Sequence, residues 1–285
     1  MKEVVNIWYN KYMNILFCGD RNIVDGITIA CLSLLKNVKE PLSIYILTMD
    51  YANKRKRYKA IREEDVAKLA KALKAKNKQN TLKIIDVSEQ FRKEPATANM
   101  RTYFTPYCML RLYADGLPDF PDKILYLDTD VVCINDPNKF YNMNMDNYEM
   151  AGVLDRYGSH VYRVPFGRKK YINSGVLLMN LKKIRETGLF KRARKACKKY
   201  PMVMPDQSAL NFCSKYKKIV PTKYNNQKEI TKDTVFRHFS NTFQFFPYFK
   251  VISIKPWNEE ALHNELNCHE IDDILREWKA LKEVK

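Results

Sequence analysis

Two aspartates, Asp128 and Asp130, stand at the end of the apolar run in "ILYLDTDVVCINDP" (124–137), one threonine apart. Carboxylates at the mouth of a buried strand cost several kcal/mol to desolvate unless something neutralises them. The candidates are a basic side chain, a metal ion, or a phosphate-bearing ligand together with its metal. Two carboxylates at i and i+2 can converge on one cation, and Asp supplies the hard oxygen that magnesium or manganese takes. A capping or ion-paired role for the same pair needs no cation at all.

The chain around them sets the frame. "MNILFCG" (13–19), "LSIYILTM" (42–49), "TLKIIDV" (81–87) and "KILYL" (123–127) read as strands, with a helix over 24–38 and a basic helical stretch over 52–79. "TPYCMLRLYADGL" (105–117) carries a helix-start signature, with Thr105 as N-cap and Pro106 in the first turn. This alternation predicts a parallel sheet covered on both faces, in which ligands bind beyond the carboxyl ends of the strands. The aspartate pair falls there. Further strands are expected at 148–154, 172–180 and 234–239, and helices at 182–199, 205–213 and 258–284.

At 285 residues, 46% hydrophobic and 29% charged, the chain has a globular composition and no run of eighteen apolar residues to span a membrane. Its start lacks a cleavage site and an unbroken apolar core, so no signal peptide is expected. Seven scattered cysteines support neither a disulfide framework nor a zinc site built on them, and suit a cytoplasmic protein. The net charge is +18, much of it between Lys54 and Lys78 and between Lys182 and Lys199. It serves either a solvated surface or attraction to an anionic membrane, which would place the protein peripherally on the inner face. No nucleic-acid motif accompanies it.

Two families compete for the aspartates. A strand ending in Asp-x-Asp resembles the first motif of haloacid-dehalogenase-type phosphatases, with Asp128 as nucleophile and Lys255, Asp272 and Asp273 as the remaining charges. That motif opens its domain, whereas three strand–helix units precede it here, and "EIDDILREW" reads as amphipathic helix. The ordered set "NILFCGDRNIVDGITIACLSLL", "RLYADGLPDFPDKILYLDTDVV", "YINSGVLLMNLKKIRE", "PDQSALNF" and a late histidine before "KPW" resembles the retaining family 8 glycosyltransferases of the glycogenin and lipopolysaccharide galactosyltransferase type.

That resemblance implies an α/β fold of the GT-A type: a mainly parallel central sheet covered by helices, with a catalytic domain over 1–257 and a C-terminal helical extension over 258–285. It implies transfer of glucose or galactose, with retention, from UDP-glucose or UDP-galactose to a glycan or glycolipid acceptor of the cell envelope. A non-catalytic nucleotide-sugar-binding protein is the other alternative. The implied metal ligands are Asp128, Asp130 and His238, for manganese or else magnesium. Asp20, Asn22, Arg111, Thr129, Asp155, Asn173 and Lys255 are implied in donor binding, and Asp206 and Gln207 lie beneath the anomeric carbon. By residue type alone, His238 suits an apolar core, "CGDRN" an ordinary turn, and Asp206 a helix cap. The segment 239–254 separates His238 from Lys255 by more than the family's usual spacing, and suits an acceptor-binding or membrane-facing loop.

Overall fold

The computed structural model describes residues 12–52, 57–100, 105–158, 170–244, 248 and 250–283. Strands β1 (Met13–Cys18), β2 (Leu42–Thr48), β3 (Thr81–Asp86) and β4 (Lys123–Leu127) match the apolar runs, with α1 (Val24–Asn37) and α2 (Glu63–Lys76) between the first three. After β4 come β5 (Val131–Cys133), β6 (Met150–Gly152) and β7 (Val176–Asn180). They are followed by α3 (Leu181–Thr187), α4 (Leu189–Lys199), α5 (Pro205–Cys213), β8 (Lys217–Ile219) and β9 (Phe236–His238). The described chain ends in α6 (Glu259–Leu266) and α7 (Asp272–Glu283).

Seven strands form one sheet in the order β8-β6-β7-β4-β1-β2-β3. Strand β7 runs antiparallel to both its neighbours and the other pairs are parallel, so the sheet is mainly, not wholly, parallel. Side-chain alternation assigns the two faces. Ile15, Phe17, Leu125 and Leu127 join a core with α1, α2 and α7, while Leu16, Ile124, Tyr126 and Met179 join another with α3, α4 and α5.

Several expected elements change. The stretch 105–117 is a 3₁₀ helix over Pro106–Gly116, and Thr105 makes no side-chain cap bond. Residues 106, 107 and 109–114 are all buried there, so packing on nearly every side overrides the apparent α-helical start. The basic stretch 52–79 is helical only over α2, because Tyr51–Ala52 pairs antiparallel with Arg57–Tyr58 ahead of it. Residues 53–56, and with them Lys54, lie outside the described residues. Stretch 182–199 is two helices broken at Gly188, whose φ of +68° lies in the left-handed region. The C-terminal region likewise divides at Asn267, a left-handed C-cap. The strand expected over 234–239 does not enter the main sheet: β9 pairs antiparallel with β5.

The C-terminal extension packs on the body. Ile271, Ile274, Leu275 and Trp278 are buried in the core that holds α1, and the Trp278 indole N–H donates to Asp25 at 3.1 Å. All seven cysteines are free thiols.

Candidate active site

The apolar β4 delivers Asp128 to the edge of the sheet, where its backbone N–H donates to the Gly175 carbonyl at 2.8 Å. The chain turns through Thr129 and Asp130, closed by Val131 N–H to the Asp128 carbonyl at 3.1 Å, and leaves as β5. Strand β9 then pairs with β5, setting His238 opposite Val131. This register carries the His238 ring onto the two aspartates. Its Nε2 lies 3.2 Å from Asp130 Oδ1 and 3.8 Å from Asp128 Oδ2. One ligand atom from each of the three residues falls within 4.8 Å of the others. Gly175 allows the approach, since a Cβ there would meet His238 Cε1 at 2.1 Å and Asp128 Oδ2 at 2.9 Å.

The opposite carboxylate oxygens are neutralised from within the protein. Arg111, 1% exposed, donates from Nη2 to Asp128 Oδ1 at 3.0 Å and lies 3.3 Å from Asp206 Oδ2. Its guanidinium stacks 3.5 Å from the Tyr126 ring centroid, and the Tyr126 hydroxyl donates to the same Asp128 oxygen at 2.6 Å. Burial works against the Arg111 charge, but Tyr126, Asp206 and Asp128 outweigh it and move its pKa up. Arg111 therefore stays a cation. Lys255 donates to Asp130 Oδ2 at 2.6 Å and to the Phe239 carbonyl at 3.0 Å. Burial would raise the Asp130 pKa, yet Lys255 and His238 together hold it well below the usual carboxylate range. Within the long spacing between His238 and Lys255, Thr242–Gln244 pairs antiparallel with Lys250–Ile252. Asp128 Oδ2 and Asp130 Oδ1 remain facing the imidazole, a donor set of two hard oxygens and one nitrogen that fits manganese.

Asp155 and Asn173 line the same cavity as Arg111, Asp128, Asp130, Asp206, Gln207, His238 and Lys255. Asp155 Oδ1 accepts the backbone N–H groups of Tyr157 and Gly158, and its Oδ2 accepts Asn173 Nδ2 at 2.8 Å. Asn173 Oδ1 accepts the Gly175 N–H at 2.9 Å and Asn225 Nδ2 at 2.8 Å. Asn225 Oδ1 lies 3.1 Å from His238 Nδ1. The backbone N–H and the carboxylate cannot reverse polarity, so both amides are fixed and His238 Nδ1 must donate to Asn225. Nε2 is then the nitrogen turned toward the aspartates.

Asp206 is the second residue of α5, but its carboxylate caps nothing. It accepts the Ser174 hydroxyl at 3.2 Å and faces Arg111, which corrects the helix-cap expectation. A charged guanidinium outcompetes the neutral backbone donors of the first turn for that carboxylate. Gln207 Oε1 accepts the Ser174 N–H at 2.8 Å. The two residues are 5% and 4% exposed.

Asp20, Asn22 and Thr129 are not among the lining residues. Asp20 follows β1, and its carboxylate accepts the Asn22 backbone N–H at 3.2 Å and side-chain amide at 2.8 Å. Thr129 packs at the start of α1, where a Cβ on Gly26 would meet its carbonyl at 2.6 Å. Of the charges a phosphatase would need, Lys255 reaches the cavity, but Asp272 bonds His263 and His269 and Asp273 pairs with Lys36, both outside it.

Four residues that hold this geometry were not expected from the sequence. Tyr126 shares the strand face of Asp128 at i−2, a signal that the alternation carried. Ser174 and Gly175 sit inside the quoted "YINSGV". Asn225, in "KYNNQ", gave no signal of its own. Cys108 also lines the cavity, and burial with the nearby Asp206 carboxylate pushes its thiol pKa well up, so it is no thiolate nucleophile.

The family model described as Glycosyl transferase family 8 matches residues 14–261. Lipopolysaccharide 1,2-glucosyltransferase of Escherichia coli (strain K12) is 24% identical, over 99% of this chain and 86% of that protein. Lipopolysaccharide 1,3-galactosyltransferase of Salmonella typhimurium is 24% identical, over 90% of this chain and 83% of that one. The galactosyltransferase LgtC, solved with donor and acceptor sugar analogs, superposes with a TM-score of 0.69 at 19% identity, covering 96% of this chain and 98% of LgtC. That last likeness carries the fold, which is of the GT-A type.

Proposed function

The chain belongs to glycosyl transferase family 8, and on that premise we propose that it moves glucose or galactose from a UDP-sugar to a hydroxyl of a cell-envelope glycan, with retention. The observation that carries this reading is the convergence of Asp128, Asp130 and His238 in a cavity shared with Asp155, Asn173, Asp206 and Gln207. The named activities of the lipopolysaccharide glucosyl- and galactosyltransferases that it resembles support the sugar class and the acceptor class.

The barrier to transfer lies in breaking the bond to a diphosphate while positive charge builds on the sugar. A manganese or magnesium ion held by Asp128, Asp130 and His238 would supply Lewis-acid stabilisation of that leaving group. Arg111 and Lys255 neutralise the outer carboxylate oxygens, so the aspartates keep a fixed geometry. Lys255, on the cavity wall, can turn its ammonium to the diphosphate when donor enters. Asp155 and Asn173 orient the sugar hydroxyls, each already fixed by its own hydrogen bonds. Asp206 and Gln207 sit beneath the anomeric carbon, where a carboxylate and an amide oxygen stabilise developing positive charge. Asp20, Asn22 and Thr129 take the nucleoside end, beyond the lined cavity. Residues 1–257 form the catalytic domain and 258–285 an extension packed on it.

The test is direct: incubate the protein with manganese and UDP-glucose or UDP-galactose, and measure released UDP and free or transferred sugar. Release that requires manganese and disappears in Asp128→Asn supports the reading. Release from neither donor sinks it.

The surface charge favours peripheral contact with an anionic membrane, each basic residue near such a surface contributing about 1 kcal/mol. No helix among the described residues is long and apolar enough to cross one. The two basic helices cover opposite faces of the sheet, α2 on one and α4 on the other. One flat surface therefore engages only one of them. On α4, Arg194 is already committed to Glu94 and Asp115. Co-sedimentation with anionic and neutral vesicles at low salt tests this, and charge removal on one helix alone should abolish any difference between them.

A further inference from the structure

Outside the cleft, the turn between α6 and α7 gathers two of the chain's four histidines around one carboxylate. We propose that His263, His269 and Asp272 form a second cation site, selective for zinc-like ions, that clips the two terminal helices together. It is independent of the cleft and of the sugar transfer assigned to it.

Its geometry is that of a ligand set. His263 Nε2 lies 2.8 Å from Asp272 Oδ1, and His269 Nδ1 lies 3.3 Å from Asp272 Oδ2. One ligand atom from each of the three residues falls within 4.8 Å of the others, and the imidazole centroids are 4.2 Å apart. Ligand atoms about 2.0–2.2 Å from a tetrahedral zinc stand roughly 3.3 Å from one another, so small side-chain shifts admit the ion. Two imidazoles and one carboxylate suit zinc, nickel or copper, whereas magnesium favours oxygen shells. This is the opposite balance to the cleft, which offers two carboxylates and one imidazole.

The backbone explains why the three meet. Asn267, at a φ of +45°, ends α6 with its N–H on the His263 carbonyl at 3.1 Å. Cys268 N–H returns to the Leu262 carbonyl at 3.1 Å, and the left-handed turn brings His269 back over His263. Asp272 then opens α7, its N–H on the His269 carbonyl at 3.2 Å. In the ion's absence the two rings can each donate one N–H to Asp272. With an ion, the same atoms present lone pairs to it. The His269 side chain is 57% exposed, which leaves a solvent path to the remaining coordination position.

The consequence is mechanical. Helix α7 holds Ile274, Leu275 and Trp278 against the core of α1. An ion at the turn joins its first residue to α6, so loading should raise the melting temperature through binding to the folded state alone.

The experiment uses the full chain carrying D128N and D130N, so that the cleft cannot compete, and titrates it with zinc and with magnesium. One equivalent of zinc should bind, with a melting-temperature gain of several degrees, and magnesium should bind at least tenfold more weakly. H263Q/H269Q on this background should lose both zinc effects. Should that pair fail to fold, H269Q alone replaces it, since the exposed ring is removable without opening the core, and it should weaken zinc more than tenfold. No zinc bound by the D128N/D130N chain, zinc binding untouched by H269Q, or equal affinity for magnesium would each overturn the proposal.

Discussion

Two aspartate-bearing turns follow neighbouring strands of one sheet, and they solve the same electrostatic problem in opposite ways. After β1, Asp20 is 4% exposed, and among the described residues its carboxylate takes two hydrogen bonds, both from Asn22, two residues on. After β4, Asp128 and Asp130 meet Arg111, Lys255 and His238. Lys255 comes from 125 residues along the chain. Burial dominates at Asp20 and raises its pKa, the Asn22 hydrogen bonds offsetting only part of that rise. At Asp130 burial acts in the same direction, but the charged partners reverse it. At Asp20 the neutral partner does not fully offset burial, whereas charges brought from elsewhere in the chain hold Asp130 as an anion. The Asp20 carboxylate is thus answered from within its own turn, and the Asp128 and Asp130 carboxylates from across the fold.

Asp128→Asn or Asp130→Asn should lower turnover about 10³-fold, the loss expected when several kcal/mol of transition-state stabilisation are removed. Released UDP at limiting manganese measures it, with circular dichroism showing the fold retained. Activity unchanged in both variants would remove the cation from the reading.

Next in size is Gly175→Ala. The added methyl falls on His238 and Asp128, so manganese affinity and turnover should fall together, about 100-fold, because the clash opens the ligand set. Gly116→Ala, with nothing within 4 Å of its Cβ, should leave both unchanged. Electron paramagnetic resonance of bound manganese separates the two variants.

Asn225→Leu leaves the His238 ring without its Nδ1 partner and should cost roughly 10-fold or somewhat more in manganese affinity. Asn225→Asp keeps an acceptor there and should cost less, although it severs the bond to Asn173. Equal losses would mean that Asn225 acts by volume alone.

The smallest effect is expected at Asp20, and its pH dependence has the opposite sign to that of Asp130. A folded-state pKa above the ordinary 3.8 makes the ionised Asp20 a cost, full above that raised value and relieved as pH falls. Asp20→Asn should therefore raise the melting temperature by about 2 °C near pH 7, with the gain vanishing towards about pH 4. Asp130, with its pKa depressed, contributes stability that is full above 3.8 and lost only as pH falls below it. Asp130→Asn should accordingly lower the melting temperature by a nearly constant amount across that window. Differential scanning fluorimetry over pH reads both, and parallel curves for the two variants would erase the distinction between the turns.

Much of this was written in the sequence. The apolar runs of β1, β2 and β4 announced their strands within a residue or two, since a buried strand needs a continuous apolar stretch and little else, and the half-buried edge strand β3 was legible from its shorter run. Asp128 and Asp130 were legible because charge at the end of such a run is unusual. The 3₁₀ helix around Arg111 was not legible as such: its conformation follows from burial on nearly every side, which no periodicity reports. Nor were the breaks at Gly188 and Asn267 within two helical patterns, where single left-handed residues redirect the chain while the apolar spacing on either side remains helical.

Sequence alone determined the central strands, the aspartate pair, the resemblance to family 8 and the local closure of Asp20 by Asn22, because each depends on residues a few positions apart. Tertiary structure alone decided which charges answer the aspartates. The β5–β9 pairing sets His238 opposite Val131, the antiparallel pair Thr242–Gln244 and Lys250–Ile252 precedes Lys255 on Asp130, and Asn173 and Asn225 join Asp155 to the His238 ring. Electrostatic and hydrogen-bond energies depend on distance in space, falling off within a few ångströms of good geometry, and separation along the chain does not encode that distance.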